Sequence, residues 1–564
     1  MGKKKSVPAT SISFPVSSDP FRVAGLATLI AECDSGKYPD ISYQVSEEAS
    51  EVVFTSPDVH KALMEIYNAI GEEYFDVSGR NAVAKNEGFY YDRKSDRFVR
   101  YPKVNTVGYA ALIRDSRPIA KADSVKMDKM PPELMAKVKE FTTRENLPIP
   151  KNTFYLDDRN TCVPAMEDFN IDPGNSPCIF CGRSFKKTYE TKCSSPLLGG
   201  SSAGLAFVSG MKTAEKACWK CLYLNRVSVG RFLYYYTYSP ETVYAFGFAA
   251  DTFEASLLIN NQLLGGNLFF GRSQKEACDY MRNFDVNLLD SQQKPMVLNN
   301  LKELLLALLY SIYSIYQTLK SRDDSDLSAL MGLGESLQYH CQVFYIKAGK
   351  YGKTFRPSNS GIYNDLDFLF RLFDRMEQEK VQMQSLYWQL LNYSVLESTR
   401  PPRFDLASLE RDDFADKVLS QKSVLPIVTR LVFLNSGRRM DHLIRFVQLY
   451  ESFIKYGGNT NMTDEIKELA IKLGSQIGTV TAADDNPKAG KGKILQLRKC
   501  LTLLDFLNVI NSLQVRYNLI VNHDILKVIN EDNFEYIKQF SVIQALNVYN
   551  FKLSKKQNDG EKNE

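Results

Sequence analysis

Two cysteine pairs, Cys178-Ile-Phe-Cys181 and Cys218-Trp-Lys-Cys221, constrain this chain more than any other feature. A two-residue spacing lets both sulfurs of a pair reach one metal ion from a tight turn. Residues 182–217 between the pairs leave room for a small hairpin. Four thiolates complete a tetrahedral zinc shell with no position open to water, so the expected Zn2+ is structural. A redox dithiol would be a single pair beside a βαβ unit. Two pairs at this separation point instead to a stapled module over about 155–225, whose folding energy the metal supplies. Such a module can contact nucleic acid or simply hold a loop in place.

The rest of the chain must fold by ordinary burial. It has 564 residues and is 44% hydrophobic, enough for several packed domains. Charged residues make up 24% and the formal net charge is +4, so a nucleic-acid surface would have to be local. The six remaining cysteines, Cys33, Cys162, Cys193, Cys278, Cys341 and Cys500, are scattered. They give no disulfide framework and point to a reducing compartment. Cys162 and Cys193 flank the first pair and are either free thiols or alternative ligands. The start lacks the apolar core of a secretory signal. Met1-Gly2-Lys3-Lys4-Lys5-Ser6 fits the loose myristoylation pattern but reads as a solvated segment. The most apolar stretch, Leu304 to Tyr316, is shorter than the roughly twenty residues of a membrane span and reads as a buried helix.

Periodicity divides the chain into two characters. Residues 1–18 are expected to be unstructured and 19–295 to form an α+β domain carrying the zinc module. Phe21 to Cys33 has helical spacing and Glu51 to Thr55 reads as a strand. Phe89-Tyr90-Tyr91 and Phe98-Val99 flank a polar turn and predict a hairpin. Residues 114–152, rich in Lys and Pro, predict an irregular excursion. Phe232 to Tyr238 and Val243 to Phe248 predict a second hairpin. From 296 to 436 the pattern predicts a helical middle region, and from 437 to 553 an all-α bundle, with a polar, unstructured tail over 554–564. In 440–456, Leu443, Phe446, Val447, Tyr450 and Ile454 share one helical face.

No catalytic residues are expected. The four histidines, His60, His340, His442 and His523, lie far apart in sequence and have no metalloprotease spacing. Asp157-Asp158 and Asp412-Asp413 read as solvated charges, the latter also as a helix start. Gly352-Lys353-Thr354 resembles the end of a P-loop, but Lys347 stands where that motif needs glycine. Basic residues do cluster. Arg93, Lys94 and Arg97 sit on the first hairpin, and Arg183, Lys186 and Lys187 follow the first cysteine pair. Lys350, Lys353 and Arg356 alternate with Tyr351 and Phe355, a pattern suited to phosphate contact and base stacking. Lys488, Lys491, Lys493, Arg498 and Lys499 carry no acid among them. With Gly490 and Gly492, the first part of this run reads as a flexible loop that could follow a phosphate backbone.

The arrangement resembles the large subunit of type I CRISPR effector complexes (Cascade), in the CXXC–CXXC family closest to the I-B branch. Three stretches carry the resemblance: Asp19-Pro20-Phe21-Arg22-Val23-Ala24-Gly25-Leu26-Ala27, the two cysteine pairs, and Gly492-Lys493-Ile494-Leu495-Gln496-Leu497-Arg498-Lys499 followed by Asp505-Phe506-Leu507. The resemblance implies a non-enzymatic, cytoplasmic, prokaryotic subunit of a crRNA-guided complex that serves antiviral defence or guided targeting. Its N-terminal domain would recognise the protospacer-adjacent motif in target double-stranded DNA and help open it. Its C-terminal bundle would support the displaced strand of the R-loop and resemble the small subunit. Implied partners are the crRNA, the backbone, guide 5′-end-binding and guide-processing subunits, and a recruited helicase–nuclease or transposition machinery. No membrane partner is implied. A small subunit made from an internal start at Met440 or Met462 is also implied. The alternative from another class is a zinc-containing nucleic-acid-processing enzyme. Division of labour makes the first reading physically sensible, because guide pairing reads most of the sequence and the protein reads only a short motif.

Overall fold

Alternation of apolar residues builds the first part of the fold. The computed structural model describes residues 10–74, 89–100, 124–151, 153–156, 171–191, 216–238, 241–261, 296–321, 332–351, 354–394, 404–434, 440–456 and 464–560, with single positions 169, 286 and 288. Both helices and sheets are present, in two units: Met1–Asp285 with Ile315–Asp367, and Val286–Ser314 with Phe368–Glu564.

In the first unit, strands β1 (Ser11–Pro15), β2 (Ser42–Val45) and β3 (Glu51–Thr55) pair antiparallel in the order β1-β3-β2. Ile12, Phe14, Val52 and Phe54 alternate into the core, as period two requires. β1 falls in the segment expected to be unstructured; its short Ile-Ser-Phe alternation is a real strand signal. The Pro20–Asp34 helix follows. Asp19 caps it, its Oδ1 accepting from the Phe21 and Arg22 backbone N–H groups at 3.1 Å, and Pro20 suits the first turn. Gly25 lets this helix touch the Trp219–Val227 helix through backbone, since a Cβ there would lie 2.2 Å from the Leu224 carbonyl oxygen. These elements and the Val59–Tyr74 helix share one core with Trp219, Tyr223 and Phe232.

A second sheet is a meander of β12 (Leu233–Tyr238), β13 (Glu241–Ala250), β14 (Cys341–Tyr351) and β15 (Thr354–Tyr363), antiparallel throughout. The β12–β13 hairpin is the one its aromatic runs predict. β14 and β15 correct the expectation of a helical 296–436. β14 contributes Ile346 and Ala348 to the core. β15 is an edge strand bearing Pro357 and Gly361, residues that weaken any strand pattern read from sequence. Gly361 leaves room for the Tyr345 hydroxyl, which would lie 2.5 Å from a Cβ there.

A small aromatic cluster forms separately from β4 (Phe89–Asp92), β5 (Arg97–Arg100), β6 (Ser124–Lys126), β7 (Thr153–Tyr155) and the Pro132–Arg144 helix. Phe98 stacks on Phe141 at 4.5 Å and Phe89 meets Phe154 at 5.6 Å. The β4–β5 hairpin matches expectation. The Pro132–Arg144 helix corrects the reading of 114–152 as irregular.

The second unit is helical among its described residues. Leu301–Lys320 supplies its apolar residues up to Ser314, with Leu304 to Leu309 and Ile312 fully buried. Several helix N-termini here are capped from distant sequence, satisfying donors that have no intrahelical partner. Asp412 Oδ1 accepts from Lys302 N at 2.7 Å and Glu303 N at 3.1 Å, so Asp412 is not a solvated charge and caps the start of Leu301–Lys320 rather than of its own helix. Gln389 Oε1 accepts from Leu443 N at 2.9 Å, and Glu451 Oε1 from Val424 N at 2.8 Å. The buried Arg411 Nε lies 2.8 Å from Glu303 Oε2. Asp464–Ala482 packs against Phe534–Gly560 through Gly474 and Gly478, where a Cβ would lie 2.5 Å from Ser541 O and 2.4 Å from Ala545 O. The last helix runs to Gly560, through most of the tail expected to be unstructured; 561–564 lie outside the described residues. Among the described residues, no helix is long and apolar enough to cross a membrane.

Candidate metal centre

Cys178, Cys181, Cys218 and Cys221 come together, their sulfurs all within 4.8 Å of one another. The first pair sits on a knuckle between β8 (Pro173–Pro177) and β9 (Ser184–Phe185). Cys178 N–H donates to Arg183 O at 2.9 Å and Gly182 N–H to Cys178 O at 2.9 Å. Gly182 closes the knuckle with φ +68, a conformation glycine adopts without strain. The second pair follows β11 (Lys216–Ala217), which pairs with β10 (Tyr189–Glu190). Cys218 is the N-cap of Trp219–Val227 and Cys221 lies in its first turn. The helix N-terminus therefore faces the thiols, and its partial positive charge favours thiolates. Ile179 N–H donates to Lys216 O at 3.0 Å and ties the two halves together.

The sulfur geometry fits a tetrahedral ion. Sulfurs about 2.3 Å from zinc would lie about 3.8 Å apart, and Cys181 Sγ to Cys218 Sγ is 3.9 Å. All four thiols are free of disulfides. Their protons are shared unequally. Hydrogen bonds from Cys181, Cys218 and Cys221 hold Cys178 far below the usual thiol range, and Cys181 is lowered to about 7. Cys218 and Cys221 are pushed up, chiefly by their hydrogen bonds to Cys178. Without a cation, four thiolates this close repel one another; a divalent ion removes that penalty and releases the protons. The closed four-cysteine set leaves no position for substrate, so the arrangement is suited to holding structure.

Residues the sequence reading passed over anchor the centre. Trp219, between the second pair, is fully buried and meets Phe14 at 5.8 Å and Phe169 at 4.7 Å, both edge-on. Lys220 Nζ donates to Ser13 O at 2.5 Å; burial, then the Arg183 charge, lowers its pKa. The Arg22 guanidinium lies over Phe180, 5.6 Å from the ring centroid. Only the position of Phe180 and Lys220 inside the cysteine pairs signals these roles in the sequence.

The basic residues singled out from sequence lie on different elements. Arg93 and Lys94 are on the exposed β4–β5 turn and Arg97 opens β5, where Lys137 pairs with Asp96 at 2.7 Å. Arg183, Lys186 and Lys187 are exposed beside the cysteine knuckle. Arg183 pairs with Glu51 at 2.9 Å, Lys186 with Asp172 at 3.5 Å, and Lys187 lies over Tyr189. Lys350 stands opposite Phe355 and Arg356 opposite Gly349 in the β14–β15 hairpin, while Lys353 is outside the described residues. Cys162, Cys193 and Met462 are also outside them; Met440 is buried at the start of Asp441–Tyr456.

The run from Lys488 requires a correction: it is a helix, Pro487–Lys499, and not a flexible loop. Asn486 caps it and Pro487 suits its first turn. Gly490 serves close packing, since a Cβ would lie 2.2 Å from Thr481 O. At about 100° per residue, Lys488, Lys491, Arg498 and Lys499 fall within one arc of about 100°. Lys493 turns away and donates to Ser512 Oγ at 3.0 Å. Asp484, just upstream, is engaged by the Tyr517 hydroxyl at 2.6 Å and by Arg516 at 3.8 Å.

A scan against known protein families finds no match for this chain, and no curated protein matches it.

Proposed function

We propose that this chain is the large subunit of a type I, I-B-like, crRNA-guided DNA surveillance complex. In this reading its first unit recognises the protospacer-adjacent motif in duplex DNA and helps open it, and its second unit supports the displaced strand. It is not itself a nuclease. The four-cysteine centre holds structural Zn2+, and the work falls to exposed Lys and Arg. The observation that carries the reading is the packing of two of the stretches on which the resemblance rests. The helix begun by Asp19-Pro20 meets the helix bearing Cys218 and Cys221 through backbone at Gly25. Two soft or local patterns, far apart in sequence, thus belong to one packed element pair. The third stretch contributes Arg498 and Lys499 to the basic face of Pro487–Lys499, which Lys488 and Lys491 complete with the charge a phosphate backbone attracts.

The test is affinity purification of the tagged chain from its own cells, followed by RNA sequencing and mass spectrometry. The expected result is a discrete small RNA with repeat-derived ends, together with a repeated backbone subunit. Absence of both overturns the proposal. Divalent-metal-dependent cleavage of DNA or RNA by the isolated chain replaces it with the zinc-containing nucleic-acid-processing enzyme.

A further inference from the structure

The Leu503–Tyr517 helix leaves an apolar face in solvent. Leu504, Asn508, Asn511 and Val515 are all exposed, at spacings of four, three and four, and so form one stripe. Leu504 is 67% and Val515 86% exposed; just beyond the helix ends, Leu501 is 84% and Ile520 81% exposed. Thr502 caps the start through Asp505 N–H, and Asn518 ends the helix with φ 52, so both flanking aliphatics sit on ordered backbone. Aliphatic residues this exposed on one short element are uncommon. Together they amount to on the order of 600 Å², the upper end of the largest patch on a typical monomer.

The order of these residues identifies the occupant. Read from either end, the stripe is aliphatic, amide, amide, aliphatic. Laid antiparallel on a second copy about a two-fold axis, Leu504 meets Val515 and Asn508 meets Asn511, with Leu501 and Ile520 just beyond the two ends of the seam. The same operation brings the exposed Asp505 of one copy toward Arg516 of the other and opposes the two helix dipoles favourably. Paired amides in the centre of an apolar seam fix its register. Two such faces bury about 1,200 Å² in total, near the lower bound of a specific interface.

We propose that this face is a two-fold self-association surface whose partner is a second copy of this chain, bound with the Leu503–Tyr517 helices antiparallel. The association is weak enough to depend on concentration in the micromolar range. It does not rest on the functional reading above.

Sedimentation equilibrium of the full chain at 1–100 µM, on the order of the range expected for a minimal interface, tests it. The expected mass rises from 64.1 kDa toward twice that value. Leu504→Asp with Val515→Asp should raise the dissociation constant at least about tenfold; both side chains are exposed, and unchanged circular dichroism verifies the fold. A short bis-maleimide should then cross-link a mixture of Leu504→Cys and Val515→Cys chains to each other faster than it cross-links either variant to itself, relative to the parent chain. A single monomeric mass throughout, a dimer insensitive to the double substitution, or preferential Leu504→Cys self-linking would each overturn the proposal.

Discussion

The cysteine module and the glycine-lined helix crossing hold backbone together in opposite ways. At the module, side chains do the joining: four sulfurs within 4.8 Å clamp a knuckle to a helix N-terminus, over very short strands. At the crossing of Asp464–Ala482 with Phe534–Gly560, the absence of side chains does it, at Gly474 and Gly478. The first is a cluster that a metal ion can complete; the second is complete within the polypeptide. The difference teaches that cysteine and glycine spacings both mark fixed geometry, but only cysteine announces what fixes it.

Breaking the clamp should give the largest effect. Cys221→Ser or chelation should remove a metal whose binding is worth roughly 10–16 kcal/mol in small zinc peptides. The expected result is loss of the bound metal and of the first unit's cooperative melting, read by elemental analysis and calorimetry, with the helical unit's transition retained. Cys33→Ser, outside the four-cysteine cluster, should leave the bound metal unchanged. At the crossing, Gly478→Leu should destabilise the helical unit by about 3 kcal/mol or more, because backbone lies where its Cβ must go. Denaturant midpoints measure it.

Smaller effects sharpen the contrast. Gly492 has nothing within 4 Å of a built Cβ, so Gly492→Ala should stabilise the helical unit by up to about 1 kcal/mol. On the same helix, reversing Lys488, Arg498 and Lys499 should weaken binding of the displaced strand and lower the salt slope by about 0.7 for each single-strand phosphate no longer neutralised. Lys493→Glu, facing Ser512, should leave that slope nearly unchanged.

The cysteine centre was legible because coordination imposes its spacing on sequence. The β4–β5 and β12–β13 hairpins were legible because alternating aromatics bound short turns. The start of Pro487–Lys499 reads as a loop because Pro and two glycines signal one, whereas here Pro487 begins a helix and Gly490 admits the Thr481 carbonyl. Neither role is visible without the neighbouring helix. β15 is hidden for a related reason: Pro357 and Gly361 weaken a strand pattern, and Pro357 fits at a sheet edge beside the register shift opposite Lys347 and Ala348. Asp412 reads as a solvated charge or a helix start; it does cap a helix N-terminus, but that of Leu301–Lys320, whose Lys302 and Glu303 lie more than one hundred positions away. Local chemistry survives in sequence; tertiary caps and close approaches do not.

The central claim concerns DNA opening by the first unit. The guide-loaded complex, assembled with and without this chain, should be titrated onto a target duplex carrying a fluorescent base analogue beside the adjacent motif. The account predicts motif-dependent opening only when the chain is present, and its loss when Cys221→Ser removes the clamp. Equal opening without the chain would contradict it.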